Sequence, residues 1–175
     1  PLKYKISWSW EGVLWSYARP AVIIRDGEVV HIPAADQHSP RWVKSSTFPG
    51  FGDLELIPNG DALVFAEKMG VTGTLRNSSR CSYRWPGHSE FWHKLTALGF
   101  LEETPVPGLP GGVTPLGFLV KHLGPRLQYG PGERDAVIMR TVVGGVKDGR
   151  RLEIAFELVD YRDLETGFLA MNRTV

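Results

Sequence analysis

Ala21-Val22-Ile23-Ile24-Arg25-Asp26-Gly27-Glu28-Val29-Val30-His31-Ile32 sets two runs rich in β-branched residues on either side of an Asp-Gly pair. Asp-Gly suits a type I′ turn, because both central residues of that turn need positive φ, which glycine adopts freely and aspartate tolerates. The stretch therefore reads as a tight antiparallel hairpin. The same chemistry recurs near the other end of the chain, where long strands are expected near Asp135–Val146 and Arg150–Asp160 around Asp148-Gly149.

Between the hairpins the pattern alternates in kind. Ser9 to Tyr17 reads as a helix, with an N-cap serine, Trp10, Val13, Leu14 and Tyr17 at helical spacing, and a stop before Pro20. Residues 33 to 52, with three prolines, two glycines and three serines, read as a long loop. Asp53-Leu54-Glu55-Leu56-Ile57 alternates as a half-buried strand does, and Pro58-Asn59-Gly60-Asp61 breaks it before a helix through Met69 that Asp61 caps. Residues 71 to 85 form a strand region. A helix from Ser89 to Leu98 follows, with Phe91, Trp92, Leu95 and Leu98 as core stripe and Gly99 just past its end. Thr114-Pro115 makes an N-cap and N1 pair for a helix to about His122. Strands come in runs and not in strict βα alternation, which predicts one α+β domain over residues 1–175. Its sheet is expected to be mixed and mainly antiparallel, with helices on one face and the other left to solvent or a second subunit.

Composition removes several function classes. The 175 residues carry 42 % hydrophobic and 22 % charged side chains, in line with a folded soluble domain. Twenty basic against nineteen acidic residues leave a formal charge of +1, too little field to gather nucleic acid or an anionic membrane. No apolar run approaches the roughly 18 to 20 residues that span a bilayer. Cys81 is the only cysteine, so an intramolecular disulfide is excluded and a reducing, cytoplasmic setting is expected. An initial proline points to an excised fragment.

Catalytic motifs are missing in an informative way. A dinucleotide site in a doubly wound fold needs a glycine-rich turn between strand and helix, and Gly50-Phe51-Gly52 lacks the third glycine and the helix. No histidines sit at i, i+4, so no metal is expected; His88 and His93, five apart, point away from each other on a helix and read as surface or satisfied core residues. Cys81 reads as a buried, inert thiol. Arg76, Arg80 and Arg84, four apart, would share one face of a continuous strand with Ser78 and Ser82. Guanidinium groups hold carboxylates through paired hydrogen bonds, so this face suits an amino-acid or dicarboxylate ligand; a charged, solvated edge strand is the alternative. Trp8, Trp10, Trp15 and Trp42, with Tyr4 and Tyr17, could pack a nicotinamide or form core and interface.

Segments spread over the chain resemble one family. Pro1-Leu2-Lys3-Tyr4-Lys5-Ile6-Ser7-Trp8-Ser9 with Gly12-Val13-Leu14, Ile57-Pro58-Asn59-Gly60-Asp61, Tyr83-Arg84-Trp85-Pro86-Gly87, Leu98-Gly99-Phe100-Leu101, Thr114-Pro115, Gly132-Glu133-Arg134-Asp135 and Lys147-Asp148-Gly149-Arg150 follow, in order, the saccharopine dehydrogenases beyond their Rossmann domain. The resemblance implies the C-terminal domain architecture of glyceraldehyde-3-phosphate dehydrogenase, a sheet used for homodimer formation, and NAD or NADP held mainly by a Rossmann domain. It implies substrate contacts from Arg84, Asn59, Ser82 and Tyr83, and cofactor contacts from Trp8, Ser9 and Trp10, with no catalytic base assigned. The implied reaction is hydride transfer at a C–N bond of an amino-acid-like substrate, for which the fragment alone is inactive. Where the family has Asn-Arg-Asp, this chain has Asn59-Gly60-Asp61. That departure implies a substrate with fewer carboxylates, or an arginine relocated to a position such as Arg80; a non-catalytic binding or assembly module is the alternative.

Overall fold

The structure, a computed structural model, describes residues 3–174. Pro1 and Leu2, which open the resembling segment, lie outside them. Two compact units emerge: one holds the residues up to Tyr4 with Ser9–Arg126, the other Lys5–Trp8 with the residues from Leu127 onward.

In the first unit, helix α1 (Trp10–Tyr17) starts where Ser9 Oγ accepts from Gly12 N at 3.1 Å. Its buried stripe is Trp10, Val13, Leu14 and Tyr17, as the spacing predicts. The hairpin of β1 (Ala21–Arg25) and β2 (Glu28–Ile32) closes through Asp26 at φ 54° and Gly27 at φ 90°. Strand β1 is buried from Ala21 to Ile24, and both its edges are paired. On the edge away from β2, Val22 N donates to Gly60 O at 2.9 Å and Ile24 N to Ser78 O at 2.8 Å. Ala21, Ile23, Ile32 and Trp42 form a core cluster beneath this hairpin.

Residues 33–52 are not all loop. Strand β3 (Lys44–Phe48) pairs antiparallel with β4 (Gly52–Pro58), register Lys44↔Leu56 to Phe48↔Gly52. Lys44-Ser45-Ser46-Thr47-Phe48 has a single large apolar residue, so no alternation marked it; pairing with β4 makes it a strand. The strand region of 71–85 shrinks to β5 (Cys81–Arg84) on the other edge of β4, while 72–74 is a 3₁₀ turn. Arg76 and Arg80 therefore lie outside any strand, and the three-arginine face does not form. Asn77, Ser78 and Ser79 supply no apolar face to hold a longer ladder.

Helix α2 (Leu63–Lys68) is capped by Asp61, whose Oδ1 accepts from Leu63 N at 2.8 Å. Helices α3 (His88–Ala97) and α4 (Pro115–Leu123) fall where expected, with Thr114 Oγ1 accepting from Gly117 N at 3.0 Å. The core stripe of α3 differs: His88, Ser89 and Trp92 are buried, whereas Phe91 and Leu98 are exposed. The helix turns toward Tyr17 and Trp10, which contact Trp92 at 5.5 and 6.0 Å between ring centroids.

The second unit is built on β6 (Ala136–Lys147) and β7 (Arg150–Tyr161), a ribbon of twelve paired positions turned by Asp148 at φ 53° and Gly149 at φ 73°. A short helix, α5 (Ala170–Thr174), was not anticipated; the buried Asp135 accepts at its start, from Ala170 N at 2.9 Å.

The protein combines helices with antiparallel strands, but in three sheets, β1-β2, β3-β4-β5 and β6-β7, and not the single mixed sheet expected. The outer edge of β1 explains part of this: it is closed by isolated bridges at Asp61 and Ser78, each too short to extend a ladder. No helix among the described residues is long and apolar enough to cross a membrane.

Candidate functional site

Strand β5 puts Ser82 and Arg84 on one face and Tyr83 on the other, by the two-residue period of an extended chain. Tyr83 packs edge-on against Phe48 at 5.6 Å, an aromatic contact behind the sheet. Arg84 is half-buried. Its Nε donates to Tyr17 Oη at 3.1 Å, its Nη1 to Tyr83 O at 2.9 Å, and its guanidinium carbon lies 5.7 Å from the centre of the Tyr4 ring.

Tyr17 ends α1, fully buried, and its Oη is also 2.8 Å from His88 Nε2 at the start of α3. Burial pushes the Tyr17 pKa up, partly offset by the nearby Arg84 charge, so the phenol keeps its proton. His88 is held down to about 2, first by burial and then by the charges of Arg84 and His38. His38, edge-on to Tyr17 at 4.4 Å, is likewise held down to about 3 by burial, with Arg84 and His93 adding repulsion. Both imidazoles are thus neutral at pH 7. Tyr17 Oη accepts from Arg84 Nε and shares a second hydrogen bond with His88 Nε2, whose direction follows the His88 tautomer.

Arg84 is the one cation of this Tyr17–His88–His38 cluster, and among the described residues no carboxylate lies within ion-pairing distance of it. Desolvating a guanidinium without a counter-ion is costly. A half-buried arginine anchored by two hydrogen bonds through Nε and Nη1 keeps its remaining N–H groups for an anion.

The other expected substrate contacts have structural partners. Asn59 Nδ2 donates to Ser16 Oγ at 3.2 Å and Asn59 N to Arg80 O at 2.9 Å, tying the 58–61 turn to α1. Ser82 lies opposite Ile57 in the ladder. Gly60 adopts φ 74°, and a Cβ placed there would sit 3.1 Å from Arg80 Nη1. The Arg80 guanidinium therefore covers the position from which a residue-60 side chain would project. Glu55, opposite Arg84 in the ladder, caps α3: Oε1 accepts from Gly87 N at 2.7 Å, and Oε2 from Ser89 N at 2.8 Å and Ser89 Oγ at 2.6 Å.

Of the expected cofactor contacts, Trp8 is exposed by 58 % and presents its indole to solvent. Ser9 Oγ is engaged as the α1 cap but keeps its O–H for a further acceptor. Trp10 is a core residue, 7 % exposed and packed on Tyr4 at 5.7 Å and on Trp92. Cys81 is exposed, not buried, and partial desolvation of its sulfur raises the thiol pKa, so it is no activated nucleophile. No group of three metal-ligating side chains occurs among the described residues.

Sequence reasoning missed Tyr17, His88 and His38 as parts of the site. One signal was present: a tyrosine on a buried helical stripe must find a partner for its hydroxyl.

The sequence model of the Saccharopine dehydrogenase C-terminal domain matches residues 1–175. The mitochondrial alpha-aminoadipic semialdehyde synthase of Bos taurus is 26 % identical over 233 aligned positions, covering 100 % of this chain and 25 % of that protein. The saccharopine dehydrogenase [NADP(+), L-glutamate-forming] of Schizosaccharomyces pombe is 33 % identical over 107, covering 59 % of this chain and 22 % of that one. The chain thus spans about a quarter of the length of these relatives. Among solved structures, apo histidine-tagged saccharopine dehydrogenase (L-Glu forming) from Saccharomyces cerevisiae superposes with a TM-score of 0.77 at 22 % identity, over 100 % of this chain and 52 % of that one, a likeness of fold.

Proposed function

The chain belongs to the saccharopine dehydrogenase C-terminal domain family, and from that premise we propose that it is the substrate-binding and dimerisation domain of an NAD(P)-dependent oxidoreductase. The reaction is hydride transfer at a C–N bond of an amino-acid-like substrate. The nicotinamide, held mainly by a Rossmann domain outside residues 1–175, supplies the hydride chemistry. Arg84 binds a substrate carboxylate. Trp8 and Ser9 face the cofactor. The glyceraldehyde-3-phosphate dehydrogenase-like assignment of the fold belongs to this proposal, supported by antiparallel strands beside helices, as does a cytoplasmic setting, supported by the lone cysteine.

One observation carries the reading: Arg84 is half-buried, held by Tyr17 and Tyr83, and has no acidic partner among the described residues. Tyr17 Oη and Tyr83 O hold the guanidinium in place, His88 bonds Tyr17 in turn, and the neutrality of Tyr17 and His88 leaves the Arg84 charge for the ligand. Arg80, lying over Gly60, is the relocated arginine that a second carboxylate could meet. In the complete enzyme, Arg84→Ala should raise KM for a carboxylate substrate about tenfold or more, the loss of one charge-assisted pair. An unchanged KM would remove Arg84 from the site.

The second copy docks on β6-β7. Met139, Val143, Leu152, Ile154 and Phe156 share one face by register and are each 45 to 65 % exposed. So much contiguous apolar surface favours a partner of the same kind. Phe156→Glu should convert a dimer to a monomer by sedimentation, and a wild-type monomer at micromolar concentration refutes the dimer. A non-catalytic assembly module keeps one point in its favour, the absent arginine at Gly60; wild-type turnover by the complete protein excludes it.

A further inference from the structure

Trp42 is buried in the core cluster beneath the first hairpin, and two guanidinium groups lie on its indole. The Arg25 guanidinium carbon is 4.8 Å from the ring centre, and that of Arg41 is 5.1 Å from it. The two cations therefore lie within about 10 Å of each other. Each arrives there for a local reason. Arg25 ends β1 on the face that Ala21 and Ile23 bury, by the two-residue period of a strand, so its side chain continues over the same ring. Arg41 precedes Trp42 in a turn that Trp42 N closes by donating to Ser39 O at 3.0 Å.

A guanidinium is weakly hydrated and settles on an aromatic face, which narrows its rotamers before any ligand arrives. Both side chains are exposed, and neither guanidinium has a hydrogen bond or an ion pair among the described residues. Glu28 stands opposite Arg25 in the ladder and Asp26 follows it in the turn, yet neither carboxylate pairs with it. Two forks of N–H donors gathered on one ring match an anion with more than two oxygens. A carboxylate fills one fork, whereas a phosphoryl group has oxygens for both. We propose that Arg25 and Arg41, held on Trp42, form a binding site for a phosphate or diphosphate group. The site goes beyond the Arg84 reading and shares no side chain with it.

The test titrates the full chain, at constant low ionic strength, with pyrophosphate, ADP and glutarate, and follows the arginine Nε–H groups by ¹H–¹⁵N correlation. Pyrophosphate should shift the Arg25 and Arg41 signals together and saturably, binding about tenfold or more tightly than glutarate. Arg25→Gln and Arg41→Gln, both at exposed positions, should each weaken pyrophosphate binding about tenfold or more. ADP binding at least as tightly as pyrophosphate assigns the site to the phosphates of a nucleotide, and weaker ADP binding assigns it to a free phosphoryl anion. Arg84→Ala should leave the Arg25 and Arg41 shifts unchanged. Signals indifferent to pyrophosphate at tens of millimolar would overturn the proposal. So would unchanged affinity in either glutamine variant, glutarate binding as tightly as pyrophosphate, or shifts lost in Arg84→Ala. Each of those results leaves the KM test of Arg84 standing on its own.

Discussion

Acidification from about pH 7.5 to about pH 5 should destabilise this protein steeply, and the magnitude follows from two buried histidines. His38 and His88 both start from 6.5 in an unfolded chain and fall to about 3 and about 2 when folded, chiefly through burial. Below pH 6.5 the unfolded chain therefore takes up protons that the folded protein refuses, so stability falls as pH drops and is restored as it rises. Each histidine contributes a slope of about 1.4 kcal/mol per pH unit across this window, about 2.7 together. At pH 5 the pair should have removed about 4 kcal/mol, a large share of a typical 5–15 kcal/mol. Carboxylates with lowered pKa, such as Glu90, Glu133, Asp160 and Asp163, start from 4.5 or 3.8, so their losses begin at lower pH. Urea unfolding followed by tryptophan fluorescence at several pH values measures the slope. His88→Gln, which retains a partner for Tyr17 Oη but cannot titrate, should halve it. Stability constant to within about 1 kcal/mol over this range would refute the buried, neutral placement of both rings.

Glu55→Ala removes three hydrogen bonds at the start of α3 and should cost about 1–3 kcal/mol in urea unfolding, with Glu55→Gln recovering part of it. Gly60→Arg forces a side chain into φ 74° against Arg80, so a loss of about 1–2 kcal/mol is expected in thermal unfolding; an unchanged midpoint would mean that the turn relaxes freely.

The local signals were strong where neighbours along the chain carry the physics. Asp26-Gly27 and Asp148-Gly149 fixed both hairpins, because a two-residue turn dictates which residues pair. Ser9, Asp61 and Thr114 marked helix starts through bonds to backbone N–H groups two or three residues on. Signals failed where the deciding contact was distant. Lys44–Phe48 becomes a strand only because β4 lies beside it, and the arginine face dissolves because residues 76–80 find no ladder partner. Arg84 was legible as a candidate through the family resemblance, but Tyr17, which bonds it, and His88, which bonds Tyr17, were not.

By itself, then, the sequence determined helices α1 to α4, the two Asp-Gly hairpins and the resemblance to the family. Only the tertiary structure decided that Trp10 is core, that Tyr17, His88 and His38 gather around Arg84, and that Arg80 covers Gly60. The reason is range. Turn and capping chemistry acts across two to four residues and is written locally, whereas burial and charge partnership join residues as far apart as Tyr17 and His88, 71 positions along the chain.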